Sequence, residues 1–367
     1  MSRSPTEPDA PVTPAEMRAM ARARVLARQG WGQVHPNPLV GAIVLHGEEW
    51  VGQGWHAGLG GAHAEPMALA EAGARARGGT LVVTLEPCAH HGRTPPCVEA
   101  IIAAGIARVV IALEDPNPVA HGGIAALRAA GIEVVVGLDA VGVRQENFRY
   151  LHSQRHTGLP YVAVKLGVSL DGCIADHAGS SQWVTSEDAR DWVHRVRAGY
   201  GAIGAGAATV IADDARLTVR GSITPRIPPT RVVFDRSGRL TADQGIFRDA
   251  CDVPVVVVCG RGTDSRALRG LPGVDLIESD GLEDALRQLA SAGVDSLLVE
   301  GGGRLAGAMW REGLIDRVYQ VVAPTWLGPG VPAWAGLDAQ PISTVERWTL
   351  VGVRVLDPDT VIIVDRP

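Results

Sequence analysis

Short apolar runs alternate with stretches of helical spacing along almost the whole chain. Residues 39–45 read as a strand. His46, Gly47 and Glu48 form a turn, and residues 50–55 return as its partner. Residues 81–85, 108–113 and 133–136 are further strands. The segments between them, residues 63–76, 96–104 and 122–130, carry helix formers, and Gly105 stops the second of these. At the front, Thr13 can cap a helix, Pro14 suits its first position and Glu16 completes a capping box, so a helix is expected to about Gln29, with Gly30 as its stop. Strands alternating with helices predict a three-layer α/β/α domain.

Residues 141–159 are more polar and close with Gly158, Leu159 and Pro160, which reads as a linker. A second α/β pattern follows. Its candidate strands are 161–166, 202–205, 231–234, 253–259, 275–277, 296–300, 317–323, 353–356 and 361–364. Its candidate helices are 186–198, 282–292 and 305–312. Thr209, Asp213 and Asp214 are expected in a loop. Residues 1–12, rich in Pro, Ser and Thr, read as a disordered tail. The expected domains are therefore 13–150 and 158–367.

The length of 367 residues favours two domains. Hydrophobic residues make up 46% of the chain and charged residues 20%, ordinary for a core-forming protein. A net charge of −6 without a Lys/Arg cluster argues against a nucleic-acid surface. The apolar runs are too short to span a bilayer, and the first residues lack the layout of a signal peptide. Five cysteines, an odd number, fit a reducing cytoplasm where thiols bind metal or lie buried.

The densest chemistry lies in two pieces, His63-Ala64-Glu65 and the stretch from Pro87 to Cys97. A catalytic zinc needs three protein ligands, an open position and a base beside it. His63, Cys88 and Cys97 are the candidate ligands, and two thiolates with one imidazole neutralise the ion. Glu65 is the candidate proton shuttle, free of the metal so that it can exchange protons. His-x-Glu followed by Pro-Cys and a further Cys is the pattern of zinc deaminases, in which metal-activated water attacks an amidine-like ring carbon. Here the cysteines are separated by eight residues, Ala89 to Pro96, rather than two. That His-, Gly- and Pro-rich loop can contribute to the pocket. A structural zinc with His90 or His91 as fourth ligand, or a Cys88–Cys97 disulfide, are the competing readings. His35, His46 and His56 read as surface or pocket residues.

In the second half, Glu300-Gly301-Gly302-Gly303-Arg304-Leu305-Ala306-Gly307 leaves a strand and enters a helix. Glycines there let backbone N–H groups approach a phosphate at a helix N-terminus, although a plain Gly-rich turn reads the same way. It is not Gly-x-Gly-x-x-Gly, so an ordinary Rossmann site is poorly supported. Asp213-Asp214 could pair for acid–base work or simply be solvated.

Taken together, these motifs resemble the bifunctional deaminase/reductase family of riboflavin biosynthesis. His35-Pro36-Asn37-Pro38, His63-Ala64-Glu65, Thr84 to Cys97 and Asp115-Pro116-Asn117-Pro118 look like its deaminase half. Lys165 to Gly172, Ser181-Gln182-Trp183, Thr209 to Asp214, Leu217-Thr218-Val219-Arg220 and Glu300 to Gly307 look like its reductase half. The resemblance implies a cytidine-deaminase-like zinc domain followed by a dihydrofolate-reductase-like domain. It implies deamination of 2,5-diamino-6-ribosylamino-4(3H)-pyrimidinone 5′-phosphate and then NADPH-dependent reduction of the ribosyl chain to ribityl.

By position, Asn37, His91 and Arg93 would line the deaminase pocket, with Arg93 toward the phosphate. Gly167, Trp183, Thr209, Asp213 and Arg236 would contact NADPH, and Gly302, Gly303, Arg304, Leu305, Ala306, Gly307 and Ala308 would wrap its phosphates. Lys165, Ser181, Arg197, Leu217, Arg220 and Glu300 would hold the reductase substrate. Pro66 after Glu65 departs from the family pattern but is tolerated in a first helical turn.

The implied partner is a small-molecule ribosyl phosphate, with neither nucleic acid nor membrane, and both monomer and homo-oligomer stay open. Another nucleobase deaminase with an accessory domain, or a zinc-stabilised binding protein without activity, are the alternatives. Ammonia release from other bases, or a failure to bind NADPH, would identify them.

Overall fold

The computed structural model of the chain describes residues 8–91, 95–155, 158–337 and 340–367. The chain divides after Arg155 into two compact units.

In the first unit, β1 (Gly41–His46), β2 (Glu49–Trp55), β3 (Thr80–Leu85), β4 (Arg108–Leu113) and β5 (Glu133–Val136) form one sheet in the order β2-β1-β3-β4-β5. The hairpin β1–β2 and the β1–β3 pair are antiparallel; β3–β4 and β4–β5 are parallel. Alternation along β1 sends Ala42 and Val44 to one core and Ile43 and Leu45 to the other. The first core is closed by α2 (Ala64–Ala72), α3 (Cys97–Ala104) and α4 (Gly123–Ala129); the second is closed by α1 (Pro14–Ala27). This is the three-layer α/β/α arrangement the pattern predicts.

The capping box at Thr13 is present in both directions, with Thr13 N–H donating to Glu16 Oε2 at 2.7 Å. The helix passes into a 3₁₀ turn at Arg28–Gly30. Residues 1–7 of the expected tail lie outside the described residues. Asp9 does not behave as a tail: its N–H donates to Val136 O and its carboxylate accepts from Val136 N–H, both at 2.8 Å, extending the sheet edge.

The expected linker is largely helical. α5 (Ala140–Glu146) and α6 (Phe148–Ser153) bury Val143 and Tyr150 in the second core, while Glu146 pairs with Arg24 and Arg28 of the first helix region. Asn147, between them, holds both the N–H (2.7 Å) and the C=O (3.1 Å) of Leu39 through its amide. The turn carrying Asn37 is thereby fixed from the far end of the unit.

The second unit contains β6 (Tyr161–Val168), β7 (Cys173–Ala175), α7 (Glu187–Arg197), β8 (Ala202–Gly206), α8 (Ala207–Asp213), β9 (Thr230–Asp235), β10 (Val255–Gly260) and β11 (Val274–Ser279). They are followed by α9 (Leu282–Ser291), β12 (Ser296–Glu300), α10 (Gly303–Arg311), β13 (Arg317–Val322), β14 (Val331–Pro332), β15 (Thr349–Leu356) and β16 (Asp359–Asp365). Nine strands make one mixed sheet in the order β11-β10-β9-β8-β12-β6-β13-β16-β15, parallel as far as β13 and antiparallel beyond it. Apolar clusters cover both faces. Thr209 and Asp213 lie on α8, not in the expected loop. The β-branched Thr209, Val210 and Ile211 and the uncapped Gly206 start conceal that helix from a pattern reading.

No helix among the described residues is long and apolar enough to cross a membrane.

Candidate active sites

The first site forms beyond the carboxyl end of β3, the central strand of the five-stranded sheet, where two helices start. His63 is the N-cap residue of α2, Cys88 follows β3, and Cys97 opens α3. His63 Nδ1 lies 3.2 Å from Cys97 Sγ and 3.6 Å from Cys88 Sγ, and the Cys97 N–H points at Cys88 Sγ over 3.4 Å. All three donor atoms fall within 4.8 Å of one another. Among the described residues this is the only group of three or more His, Cys, Asp or Glu side chains so placed. Both cysteines are free thiols, and neither His90 nor His91 joins them, so neither the disulfide nor a closed four-ligand site forms.

Hydrogen bonding from Cys97 and His63 holds the Cys88 thiol well below its ordinary value, and the same contact pushes Cys97 up. His63 is raised chiefly by its bond to Cys88. Two cysteine sulfurs and an imidazole nitrogen converging on one point form the donor set that zinc takes.

Glu65 sits in the first turn of α2, 3% exposed. Burial pushes its carboxyl up to about 7. It hydrogen-bonds Cys97 yet stands outside the three-donor group. Glycines set this geometry from behind. A Cβ at Gly54 of β2 would overlap the carbonyl oxygen of Ala64, and one at Gly52 that of Ala68. The absent side chains let α2 rest directly on β2, which fixes where His63 and Glu65 emerge.

His63, Glu65 and Cys88 line a cavity of about 430 Å³. Asn37 lines it too. His91 does not: its ring is exposed and lies 3.7 Å from Glu99, and His90 takes the wall position instead. Arg93 lies outside the described residues.

The cavity also contains groups given no individual role among the expected site residues. His56 is 3% exposed, with Nδ1 3.1 Å from Ala62 O and Nε2 3.0 Å from Asn37 Nδ2. Burial lowers its pKa, so it is neutral, donating to Ala62 and accepting from Asn37. Asp115 accepts from the Tyr150 hydroxyl at 2.6 Å. Buried Glu86 accepts from the N–H groups of Asp115, Gly122 and Ile124 at 2.9–3.1 Å, which explains the Asp115-Pro116-Asn117-Pro118 motif as a tied turn. Asp115 is marked by its motif and His56 only as a surface or pocket residue; the contacts that give each its place come from residues distant in the chain.

The second site lies at the carboxyl ends of the parallel strands, where open α/β sheets place ligands. Glu300 and Lys165 are register partners on β12 and β6, with Nζ 3.8 Å from Oε2. Arg197, the last residue of α7, grips Glu300 through Nε–Oε1 (2.5 Å) and Nη2–Oε2 (3.0 Å). Burial opposes the Glu300 charge, but Arg197 and Lys165 outweigh it and hold the carboxyl at about 2. Arg197 Nη1 donates to Thr218 O at 2.7 Å, so its guanidinium is engaged by the protein rather than left open for a phosphate. Arg220 presents an exposed side chain, and Leu217 is buried with φ of 51°.

Ser181 hydrogen-bonds Asp213, whereas Asp214 turns away to accept from Gly245 N–H at 2.7 Å, so the two aspartates do not pair. Thr209 abuts the Gly301–Gly302 turn, whose φ values are 72° and 81°. The turn leads into the N-terminus of α10, and such a bend with open N–H groups fits a cofactor's phosphates. Within the expected cradle, Gly303 and Gly307 pack instead against the backbone of residues 332–335, Ala306 is buried, and Arg304 is exposed. Gly167 faces Thr185. Leu305 and Ala308 are partly exposed on α10. Trp183 is 68% exposed under the Arg190 guanidinium, and Arg236 is exposed beyond β9.

Fold and site together define a zinc deaminase unit followed by a reductase unit. Residues 14–113 match the cytidine and deoxycytidylate deaminase zinc-binding region, and residues 160–362 match the RibD C-terminal domain. The chain is 40% identical to the riboflavin biosynthesis protein RibD of Escherichia coli K12 over 359 residues, 93% of this chain and 96% of that one. It is 39% identical to the Aquifex aeolicus protein of the same name, over 85% and 88% of the two chains. Among solved structures, RibD of Acinetobacter baumannii superposes with a TM-score of 0.81 at 37% identity, covering 96% of this chain and 99% of that one. A deaminase/reductase from Thermotoga maritima gives 0.82 at 34%, with the same coverage. The chain belongs to the RibD family: it is a bifunctional deaminase and reductase of riboflavin biosynthesis, using zinc and NADPH.

Proposed function

We propose that the first unit removes the ring 2-amino group of 2,5-diamino-6-ribosylamino-4(3H)-pyrimidinone 5′-phosphate, and that the second reduces the ribosyl chain of the product to ribityl. The solved Thermotoga maritima relative is described as a diaminohydroxyphosphoribosylaminopyrimidine deaminase and 5-amino-6-(5-phosphoribosylamino)uracil reductase, which supports this choice of substrates.

The observation that carries the reading is the position of Glu65, buried beside the three-donor group without belonging to it. His63, Cys88 and Cys97 hold the zinc, which when bound supplies an acidified water. Glu65, held near 7, can take a proton at its carboxylate and return it to the ring nitrogen and the departing amine. Asn37, its amide oriented by neutral His56, recognises the pyrimidinone edge. In the second unit NADPH supplies hydride. Glu300 and Lys165 orient the opened sugar, and Arg220 meets its phosphate. The five free cysteines support a cytoplasmic setting.

Glu65→Gln tests the assignment. It is expected to keep about one zinc per chain and to slow ammonia release by roughly 10²–10⁴-fold, with NADPH oxidation on the deaminated substrate intact. Deamination at the wild-type rate would remove Glu65 from its role.

A further inference from the structure

One network in the second unit, reaching outward from buried Glu300, includes a half-buried histidine that none of the motifs contains. His194 lies three residues before Arg197 on α7, a spacing that puts both side chains on one face of the helix. His194 Nδ1 accepts the backbone N–H of Arg220 at 3.0 Å and stands 3.4 Å from Arg197 Nη1. Arg197 meanwhile donates to the carbonyl of Thr218. The last turn of α7 therefore ties residues 217–220 at two points, one carbonyl and one N–H.

That segment needs tying. Its first residue, Leu217, is a buried non-glycine residue in the left-handed region, a conformation that persists only where surroundings impose it. Its last residue, Arg220, carries the exposed guanidinium assigned to the substrate phosphate. A cationic imidazole could not serve here. Both ring nitrogens would then be donors, and the ring would face Arg197 and Arg220 as a third positive charge. Burial and these two arginines favour the neutral ring, which has the lone pair the Arg220 N–H requires.

We propose that His194 is a positioning residue of the reductase: it fixes the backbone of residues 217–220 and so aims Arg220 at the phosphate of the substrate. The inference rests on the reductase reading above.

The test uses the full-length protein, NADPH and the deaminated ribosylaminouracil phosphate. His194→Phe keeps a ring without the acceptor. It is expected to raise the KM for this substrate about tenfold, the cost of one lost hydrogen bond to a charge-bearing segment. The KM for NADPH, zinc content and deamination rate should be unchanged. His194→Gln, which retains an acceptor oxygen, should restore the KM to within about threefold. In an Arg220→Ala background, His194→Phe should add nothing further to KM. A KM unchanged by His194→Phe overturns the proposal, as does an equal loss with the dephosphorylated substrate, or additive effects of the two substitutions. If His194→Phe fails to fold, His194→Leu, which also lacks the acceptor, takes its place and is read in the same way with and without the Arg220→Ala change. Wild-type protein that does not oxidise NADPH with this substrate would instead refute the reductase reading itself.

Discussion

The Nδ1 atom of His63 and the sulfur of Cys97 lie 3.2 Å apart although the residues are separated by 34 positions in the chain. Two helix starts, one at each residue, bring them together, and Cys88 completes the group from the end of β3. Replacing Cys97 by Ser removes one of only three ligands. Zinc content is expected to fall from about one per chain toward zero, with deamination. NADPH oxidation by the second unit should persist, because its site shares no residue with the first. Metal analysis beside the two activity assays checks this.

Glu300 lies between two cations, Arg197 and Lys165. Glu300→Gln strands both and is expected to destabilise the second unit by about 3 kcal/mol, seen as a shifted denaturant transition for that unit alone. Reductase turnover should fall as well. An unshifted transition would mean that the pair contributes no more than a surface ion pair does.

The same carboxyl gives a pH signature. It is held at about 2 in the fold, below its ordinary value of 4.5. Between those values the unfolded chain binds the proton and the folded one does not, so stability rises with pH. The contribution is complete above about 4.5 and is lost as pH falls through about 2. In Glu300→Gln this part of the acid limb should be absent when unfolding is followed from pH 5 downward. Any slope that remains unchanged belongs to other carboxyls.

Trp183, exposed and stacked under Arg190, is the expected reporter of cofactor binding. Titration with NADPH should quench part of the tryptophan emission. Trp183→Phe should remove most of that change and weaken NADPH binding about tenfold, given the size of an aromatic contact. Quenching that survives intact would place the nicotinamide elsewhere.

Much of this arrangement is legible in the residues. His63, Cys88 and Cys97 could be named because metal ligands must be particular residue types, and the capping box at Thr13 because caps are local. What escapes is set by distant contacts. α5 and α6 lack side-chain caps and look polar, yet Val143 and Tyr150 bury themselves in the sheet. The exchange of His91 for His90 depends on how an eight-residue loop leaves Cys88, which composition does not encode. Arg197 reads as a substrate contact until its partner Glu300, 103 positions away, is in view. The glycines of 302–307 read as one cradle, while two of the three, Gly303 and Gly307, serve helix packing.

The bare backbone of Gly54 beneath Ala64 has a wider implication. A lineage could retain every ligand and the shuttle acid yet fall silent through one methyl group on the neighbouring strand. Surveys that score relatives as competent by their chelating triad alone would count such chains as functional, and the overlooked determinant would be a residue with no side chain to notice.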